Sequence, residues 1–203
     1  MKIFLAVLAA LMGYLLGSIN ASIIISKSRG KDIREMGSGN AGTTNTLRSL
    51  GKGAAAVTLI VDILKGVISV LLARLIFKDV PYADVCAGAG AVLGHNFPLY
   101  YGFRGGKGVL TSFAVALVLQ PIPALLALLI GVVVIALTKY VSLGSILGAV
   151  SLPIICFFYN RENSAILIFM TCLAVLVIIR HHANIKRLIE GNERKLSFSK
   201  KEG

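Results

Sequence analysis

Two stretches of this 203-residue chain concentrate the residue types that hold anions. The first, "REMGSGNAGTTNTLRSLGKG" from Arg34 to Gly53, sets Ser38, Asn40, Thr43, Thr44 and Asn45 among glycines and adds Arg48. Glycine lets backbone N–H groups turn toward an anion, and hydroxyl and amide side chains supply further donors. The same stretch holds a literal G-x-G-x-x-G at Gly37, Gly39 and Gly42, with Asp62 twenty residues on. That spacing marks a dinucleotide site only after a strand in a soluble βαβ unit. Here the neighbouring segments are long and apolar and Asp62 lies inside one, which excludes a Rossmann site. Small polar residues between glycines also make ordinary loops, so alone this stretch leaves loop and anion site evenly matched.

The second stretch, "GHNFPLYYGFRGGKGV" from Gly94 to Val109, tips the balance. Gly105, Gly106 and Gly108 precede a short apolar helix, which directs N–H groups and a positive dipole end at the loop. Lys107 adds a point charge and Arg104 a fork. It is not a Walker A loop, because the spacing from Gly102 is one residue short and Gly108 replaces the Ser or Thr. Two such loops on one side of the protein favour phosphate binding.

Other charged residues carry less specific signals. Asp62 and Lys65 lie three apart on one face of an apolar helix, where mutual pairing accounts for both. His95 could serve as a general base, since the unperturbed pKa of histidine is about 6.5, but bracing the glycine loop is the simpler role. Arg180, His181 and Asn184 fall within one helical turn at the end of the last apolar segment. They suit either lipid headgroups or a substrate. No His is followed five residues later by Asp, no Asp/Glu cluster would hold a divalent cation, and no G-x-S-x-G is present. A pair of phosphate-binding loops without a base suggests a substrate that arrives already activated and doubly anionic.

The elements that must position these loops are membrane helices. The chain is 56% hydrophobic and 15% charged, whereas soluble domains are about 45–50% apolar and about 25% charged. Apolar segments cover 3–26, 54–77, 82–97, 109–119, 122–138, 143–159 and 164–179. In lipid each satisfies its backbone only as a helix. The first is too long for the apolar part of a signal peptide. Cys86, Cys156 and Cys172 lie in apolar segments without metal spacing, as buried thiols do.

Charge decides the topology. With a break at Gln120–Pro123, alternate loops on one side hold sixteen Lys and Arg: six from Lys27 to Lys52, two at Arg104 and Lys107, Lys139, and seven from Arg180 onward. The opposite side holds three, Lys2, Lys78 and Arg161. The positive-inside rule then predicts an all-α integral membrane protein forming one domain over 1–203. It has seven transmembrane helices, N-terminus outside and C-terminus cytoplasmic. The polar segments 27–52, 94–108 and 180–203 share the cytoplasmic face. The net charge of +12 belongs to topology and anionic lipid, and nothing in it suggests nucleic acid.

Four stretches in order, "GSGNAGTTN" with Arg48, "GHNFPLYYGFRGGKG", "YVSLGS" and "RHHANIKRLIEGNE", closely resemble the motifs of the PlsY family along the whole chain. These are bacterial cell-membrane acyltransferases that move a fatty acyl group from acyl phosphate to glycerol 3-phosphate, giving lysophosphatidate for phospholipid synthesis. The resemblance implies no cofactor and no metal, no use of acyl-CoA or acyl carrier protein, and a soluble acyl-phosphate-producing acyltransferase as supplier. It places Ser38, Arg48, Lys107, Ser142, His181 and Asn184 on the family's active-site positions, and Gly105, Gly106 and Gly108 on its phosphate loop. Asn40 and Asn45 join them as substrate-binding candidates from the first loop. Arg104 stands where the family usually has Lys, which keeps the charge, and Leu110-Thr111 stand where it often has Ala-Thr. The family implies that the donor's phosphate accepts the hydroxyl proton, which accounts for the missing base. On this reading Lys107 and the glycine loop hold acyl phosphate. Arg48, His181 and Asn184 hold glycerol 3-phosphate, with Ser38 and Ser142 supporting, or the two phosphates exchange places. The rival reading is a transporter of organic phosphates, which would need polar groups on both membrane faces.

Overall fold

The structure, a computed structural model, describes residues 1–160 and 162–196. Arg161 and the tail cations Lys200 and Lys201, counted in the topology above, lie outside the described residues. Every regular element among them is helical: α1 (Lys2–Gly17), α2 (Ala21–Ser28), α3 (Thr43–Leu50), α4 (Lys52–Ile76), α5 (Ala83–Asn96), α6 (Val109–Leu119), α7 (Pro121–Thr138), α8 (Val141–Asn160), α9 (Ser164–Arg180) and α10 (His182–Ile189), with single 3-10 turns at Ile33–Glu35 and Leu99–Tyr101. The chain divides into two compact units, Met1–Pro121 and Ile122–Gly203.

In the first unit α1 and α5 pack backbone to backbone. A Cβ at Gly13 or Gly17 would strike the main chain of Ala87 or Ala91, and one at Gly90 or Gly94 would strike α1 between Ala10 and Ser18. Small residues that admit such approach are how helices associate in lipid, where the hydrophobic effect between them is lost. Helices α4 and α6 pack at a second close approach, Gly66 against Thr111 and Ala114. In the second unit Gly131 of α7 faces Gly144 and Gly148 of α8.

The expected first span, 3–26, is not one helix. It breaks at Ser18–Asn20 because Asn20 caps α2, its Oδ1 accepting the Ile23 N–H at 3.2 Å, while the Ser18 hydroxyl bonds the Tyr14 carbonyl at 2.8 Å. The carbonyl freed at Ile19 accepts from Lys65 Nζ at 2.9 Å. The remaining apolar segments form helices close to their expected limits, and the break at Gln120 puts Pro121 in the first turn of α7, where its missing N–H costs nothing.

Lys2–Ser28, Lys52–Ile76, Pro121–Thr138 and Val141–Asn160 are long and apolar enough to cross a membrane, and α9 with α10 makes a fifth candidate bent by 59°. Helices α5 and α6, with 14 and 11 residues, are shorter. A seven-span arrangement needs both to cross as well.

Candidate active site

The first loop is a braced structure. Asn45, in α3, is buried, and its Oδ1 accepts the Ser38 N–H at 2.9 Å. Its amide nitrogen donates to the carbonyls of Met36 at 2.9 Å and Ile33 at 3.2 Å. The loop curls around this one side chain, passing Gly37 in the left-handed region (φ 58), where a Cβ would collide with Asn45. Asn45, expected to bind substrate, thus spends its carboxamide on the loop. Ser38 is exposed, Asn40 half-buried, and Arg48 lies exposed in the last turn of α3. The underside of the loop packs through Ile33 and Ala41 on Ile23 of α2, with Tyr101 against the same cluster.

Arg34 ties this loop to the second one. Its Nη1 donates to the Tyr101 carbonyl at 2.8 Å, while Nε and Nη2 grip Asp32 at 2.9 and 2.6 Å. The hydrogen bond from Arg34 holds the Asp32 carboxyl down to about 2, outweighing the upward push of burial. Asp32 also receives the Arg34 N–H at 2.9 Å, so one carboxylate fixes both the turn and the fork.

In the second loop the chain doubles back on the end of α5. The Gly105 N–H donates to the Asn96 carbonyl at 3.2 Å and the Gly106 N–H to the His95 carbonyl at 3.1 Å. Both amides, expected to turn toward an anion, thus have main-chain acceptors. Their glycines serve close approach instead: a side chain at Gly106 would strike the His95 ring and the Ala41 carbonyl of the first loop. Gly108, at φ 75, caps α6 in the left-handed region and lies against Asn96. The half-buried Lys107 stands between them, directly before the helix N-terminus. Beneath the loop, Asp62 and Lys65 of α4 pair at 2.9 Å, as their spacing suggests, and both meet His95.

Within the second unit, Ser142 and Asn184 converge on a residue that the sequence reading passed over. Glu193 Oε1 accepts from Ser142 Oγ at 2.8 Å and Asn184 Nδ2 at 2.7 Å, and Oε2 accepts from Arg187 Nε at 2.7 Å. Burial pushes this carboxyl up, but the bonds from Asn184, Arg187 and Ser142 prevail and hold it below its ordinary value. The visible signal was an acid standing among the cations that follow Arg180. His181 sits in the bend between α9 and α10, buried, its Nδ1 2.7 Å from the Val177 carbonyl. A carbonyl only accepts, so Nδ1 carries the hydrogen and Nε2 presents its other face. The Asn184 N–H donates to the His181 carbonyl at 2.8 Å, which seats both side chains on one turn.

The structure thus gathers the predicted residues into two sets. Ser38, Asn40, Arg48, Lys107 and the three glycines belong to the tied loops of the first unit. Ser142, His181 and Asn184 belong to the second. Arg104 is exposed beside its loop.

Comparison with known proteins gives one answer. The family model described as glycerol-3-phosphate acyltransferase matches residues 7–191. A glycerol-3-phosphate acyltransferase of Clostridioides difficile (strain 630) is 48% identical over 205 residues, spanning 98% of this chain and 100% of that protein. One from Thermoanaerobacter sp. (strain X514) is 49% identical over 193 residues, with 94% and 96% covered. Among solved structures, a crystal structure of PlsY (YgiH), an integral membrane glycerol 3-phosphate acyltransferase, in its glycerol 3-phosphate form superposes with a TM-score of 0.86 at 36% identity, covering 97% of this chain and 96% of that one. Its lysophosphatidic acid form gives 0.85 at 35% identity, with 95% of each covered.

Proposed function

The chain belongs to the glycerol-3-phosphate acyltransferase family, and we propose that it acylates the 1-hydroxyl of glycerol 3-phosphate with acyl phosphate as donor. The relatives' names supply the acceptor, and the two PlsY crystal forms, with glycerol 3-phosphate and with lysophosphatidic acid, match acceptor and product. The observation that carries the reading is the Arg34–Tyr101 tie, which keeps the Ser38–Arg48 loop beside the Gly105–Lys107 loop. Two cation-bearing loops so joined suit a reaction in which two phosphates must approach.

In that reaction the 1-hydroxyl oxygen attacks the acyl carbonyl carbon, the new ester bond forms, and the bond from that carbon to the phosphate oxygen breaks. The hydroxyl proton passes to the departing phosphate, so the products are lysophosphatidate and hydrogen phosphate. An acyl phosphate is a mixed anhydride with a good leaving group, and the protein's task is proximity and charge. Lys107 and the first turn of α6 hold the acyl phosphate. Arg48 holds glycerol 3-phosphate with donors from Ser38 and Asn40, and in the second unit His181 and Asn184 are the active-site positions that the family resemblance implies, with Ser142 bound beside Asn184 to Glu193. Asn45, Gly105 and Gly106 contribute by shaping the two loops.

Membership of a membrane family and the apolar helices support a membrane location. Seven crossings, an outside N-terminus and a cytoplasmic active site in a bacterial inner membrane are the arrangement we favour on the positive-inside rule. Reporter fusions after residues 30, 106 and 141 should all report the cytoplasm, and one after residue 80 the outside.

The direct test is lysophosphatidate formation by the purified protein in lipid, from glycerol 3-phosphate with palmitoyl phosphate or palmitoyl-CoA. Product from the phosphate alone is expected. Product only from the thioester would overturn the donor, and none from either would restore the transporter reading.

A further inference from the structure

The buried group beneath the glycine loop has no part in the chemistry above. Lys65 Nζ lies 2.9 Å from Asp62 Oδ1, 2.9 Å from the Ile19 carbonyl and 2.7 Å from His95 Nδ1. The contact to Asp62 is an ion pair by distance without the angle of a hydrogen bond. With Lys65 as an ammonium, which only donates, Nδ1 of His95 accepts and the ring hydrogen sits on Nε2. That edge faces Gly106, where a Cβ would collide with Nε2 and Cε1. The His95 carbonyl meanwhile receives the Gly106 N–H at 3.1 Å. His95 therefore holds Gly106 from two sides, by its main chain and by its ring.

A second strut reaches the other end of the loop: Thr111 Oγ1, in the first turn of α6, donates to the Asp62 carbonyl at 3.1 Å. The segment from Gly105 to Gly108 is thus clamped between the end of α5 and one turn of α4. We propose that Asp62, Lys65 and His95 form a positioning network that fixes the ring of His95 and, through it, the course of the loop that presents Lys107. None of the three needs to touch substrate. This rests on the assignment of that loop to a substrate phosphate.

Stability alone does not account for such a group. A buried ion pair is often no more stabilising than apolar residues of the same volume. What the charges add is direction, because the bond from Lys65 sets both the rotation and the tautomer of the ring. A hydrophobic replacement could fill the space without setting either. A displaced loop would move Lys107 from the phosphate, and small misplacements at a reacting centre are costly.

The test is kinetic, on purified variants in lipid, with KM for both substrates and kcat measured separately and folding followed by thermal unfolding. His95→Asn keeps an acceptor for Lys65 but withdraws the ring edge from Gly106. KM for the phosphate substrate that the loop holds should rise by about tenfold, the scale of a small misplacement of Lys107, with kcat changed by less than about threefold. His95→Gln, whose longer amide reaches the Nε2 position but leaves Lys65 without its acceptor at Nδ1, should recover only part of the rise. The neutral pair Asp62→Asn/Lys65→Met leaves no uncompensated buried charge and should reproduce the rise. Adding His95→Asn to it should bring no further rise, the mark of residues acting as one unit.

A folded His95→Asn protein with unchanged KM for both substrates would overturn the proposal. So would equal losses in His95→Asn and His95→Gln, or collapse of the fold in both, since the ring would then serve the core alone. Lys107→Ala, run alongside, separates the premises. If it keeps near-normal rates, the phosphate assignment of the loop is wrong whatever His95 does. If it is inactive while folded His95→Asn is normal, only the positioning network fails.

Discussion

Replacing Glu193 isolates what holds Ser142 and Asn184 together. The Glu193 side chain is 6% exposed and accepts three hydrogen bonds, two on Oε1 and one from Arg187 on Oε2. In Glu193→Gln the amide oxygen can keep Ser142 and Asn184, but the amide nitrogen then opposes the Arg187 donor. Arg187 is 37% exposed, so water relieves part of that conflict, and the loss should be about 1 kcal/mol. Glu193→Ala strands both Ser142 Oγ and Asn184 Nδ2, at about 1–3 kcal/mol for each partner left unsatisfied, for a total of about 2–6 kcal/mol. At about 2–4 °C per kcal/mol for a chain of this size, the unfolding midpoint should drop by a few degrees for Gln and clearly more for Ala. KM for glycerol 3-phosphate should rise in the same order, because Asn184 loses its orientation. The carboxyl is held below its ordinary 4.5 in the folded protein. Its contribution is therefore complete above about 4.5 and is lost as pH falls through the lower folded value. Wild type should lose midpoint relative to Glu193→Gln only in that acid window. A Glu193→Ala protein with normal midpoint and normal KM would refute the reasoning, as would a Gln variant worse than Ala.

Four further outcomes follow from named positions. Gly106→Ala forces a Cβ onto the Ala41 carbonyl and the His95 ring and should cost about 2–3 kcal/mol along with most of the activity. Gly53→Ala, with open space around it in the first turn of α4, should stabilise by roughly 0.5 kcal/mol; equal midpoints for the two variants would contradict the packing argument. Arg34→Lys keeps a charge but cannot grip Asp32 and reach the Tyr101 carbonyl together, so KM should rise by about threefold with a stability change below about 1 kcal/mol; an Arg34→Ala enzyme with normal kinetics would show that the tie between the loops is idle. Asn45→Ala unpairs the Ser38 N–H and two carbonyls and should cost about 2–4 kcal/mol, measured by unfolding, while Asn45→Asp, which can still accept from Ser38, should fall between it and wild type.

The helices were legible because lipid leaves an apolar run little choice, and even the break at Gln120 was marked by Pro121 and Pro123. The break between α1 and α2 was not. It depends on Asn20 as a cap and on Lys65, 46 residues away in sequence, to satisfy the Ile19 carbonyl. Helix α3 hid in a stretch read as a loop, since Thr and Asn are weak helix formers. It is held by Asn45 reaching back to Ile33 and Met36. The residue types of the anion-binding stretches were readable, but the direction of individual N–H groups was not. Gly105 and Gly106 look like donors until the chain is seen returning to the carbonyls of Asn96 and His95. Glu193 was missed for a related reason: its three partners are 6, 9 and 51 residues away.

Those internal commitments bear on how a chain without an evident base performs the transfer. If the loops were free to fold around each incoming anion, their ordering would draw on the binding energy of every substrate molecule. Instead the Asn45 carboxamide, the amides of Gly105 and Gly106, and the guanidinium of Arg34 are occupied by the protein itself. So are the Ser142 hydroxyl and the Asn184 amide, both on Glu193. The ordering is then done once, during folding, and on the proposed assignment Lys107 and the start of α6 would meet the substrate already placed. Charge fixed in advance around an activated anhydride is the form of catalysis that requires no proton acceptor from the protein. The sensitive positions should then be those that fix the loops, Asn45, Gly106, His95 and Glu193, as much as the cations that meet the phosphates. A substitution series in which only Lys107 and Arg48 mattered, with every brace dispensable, would mean that the substrates themselves organise the site.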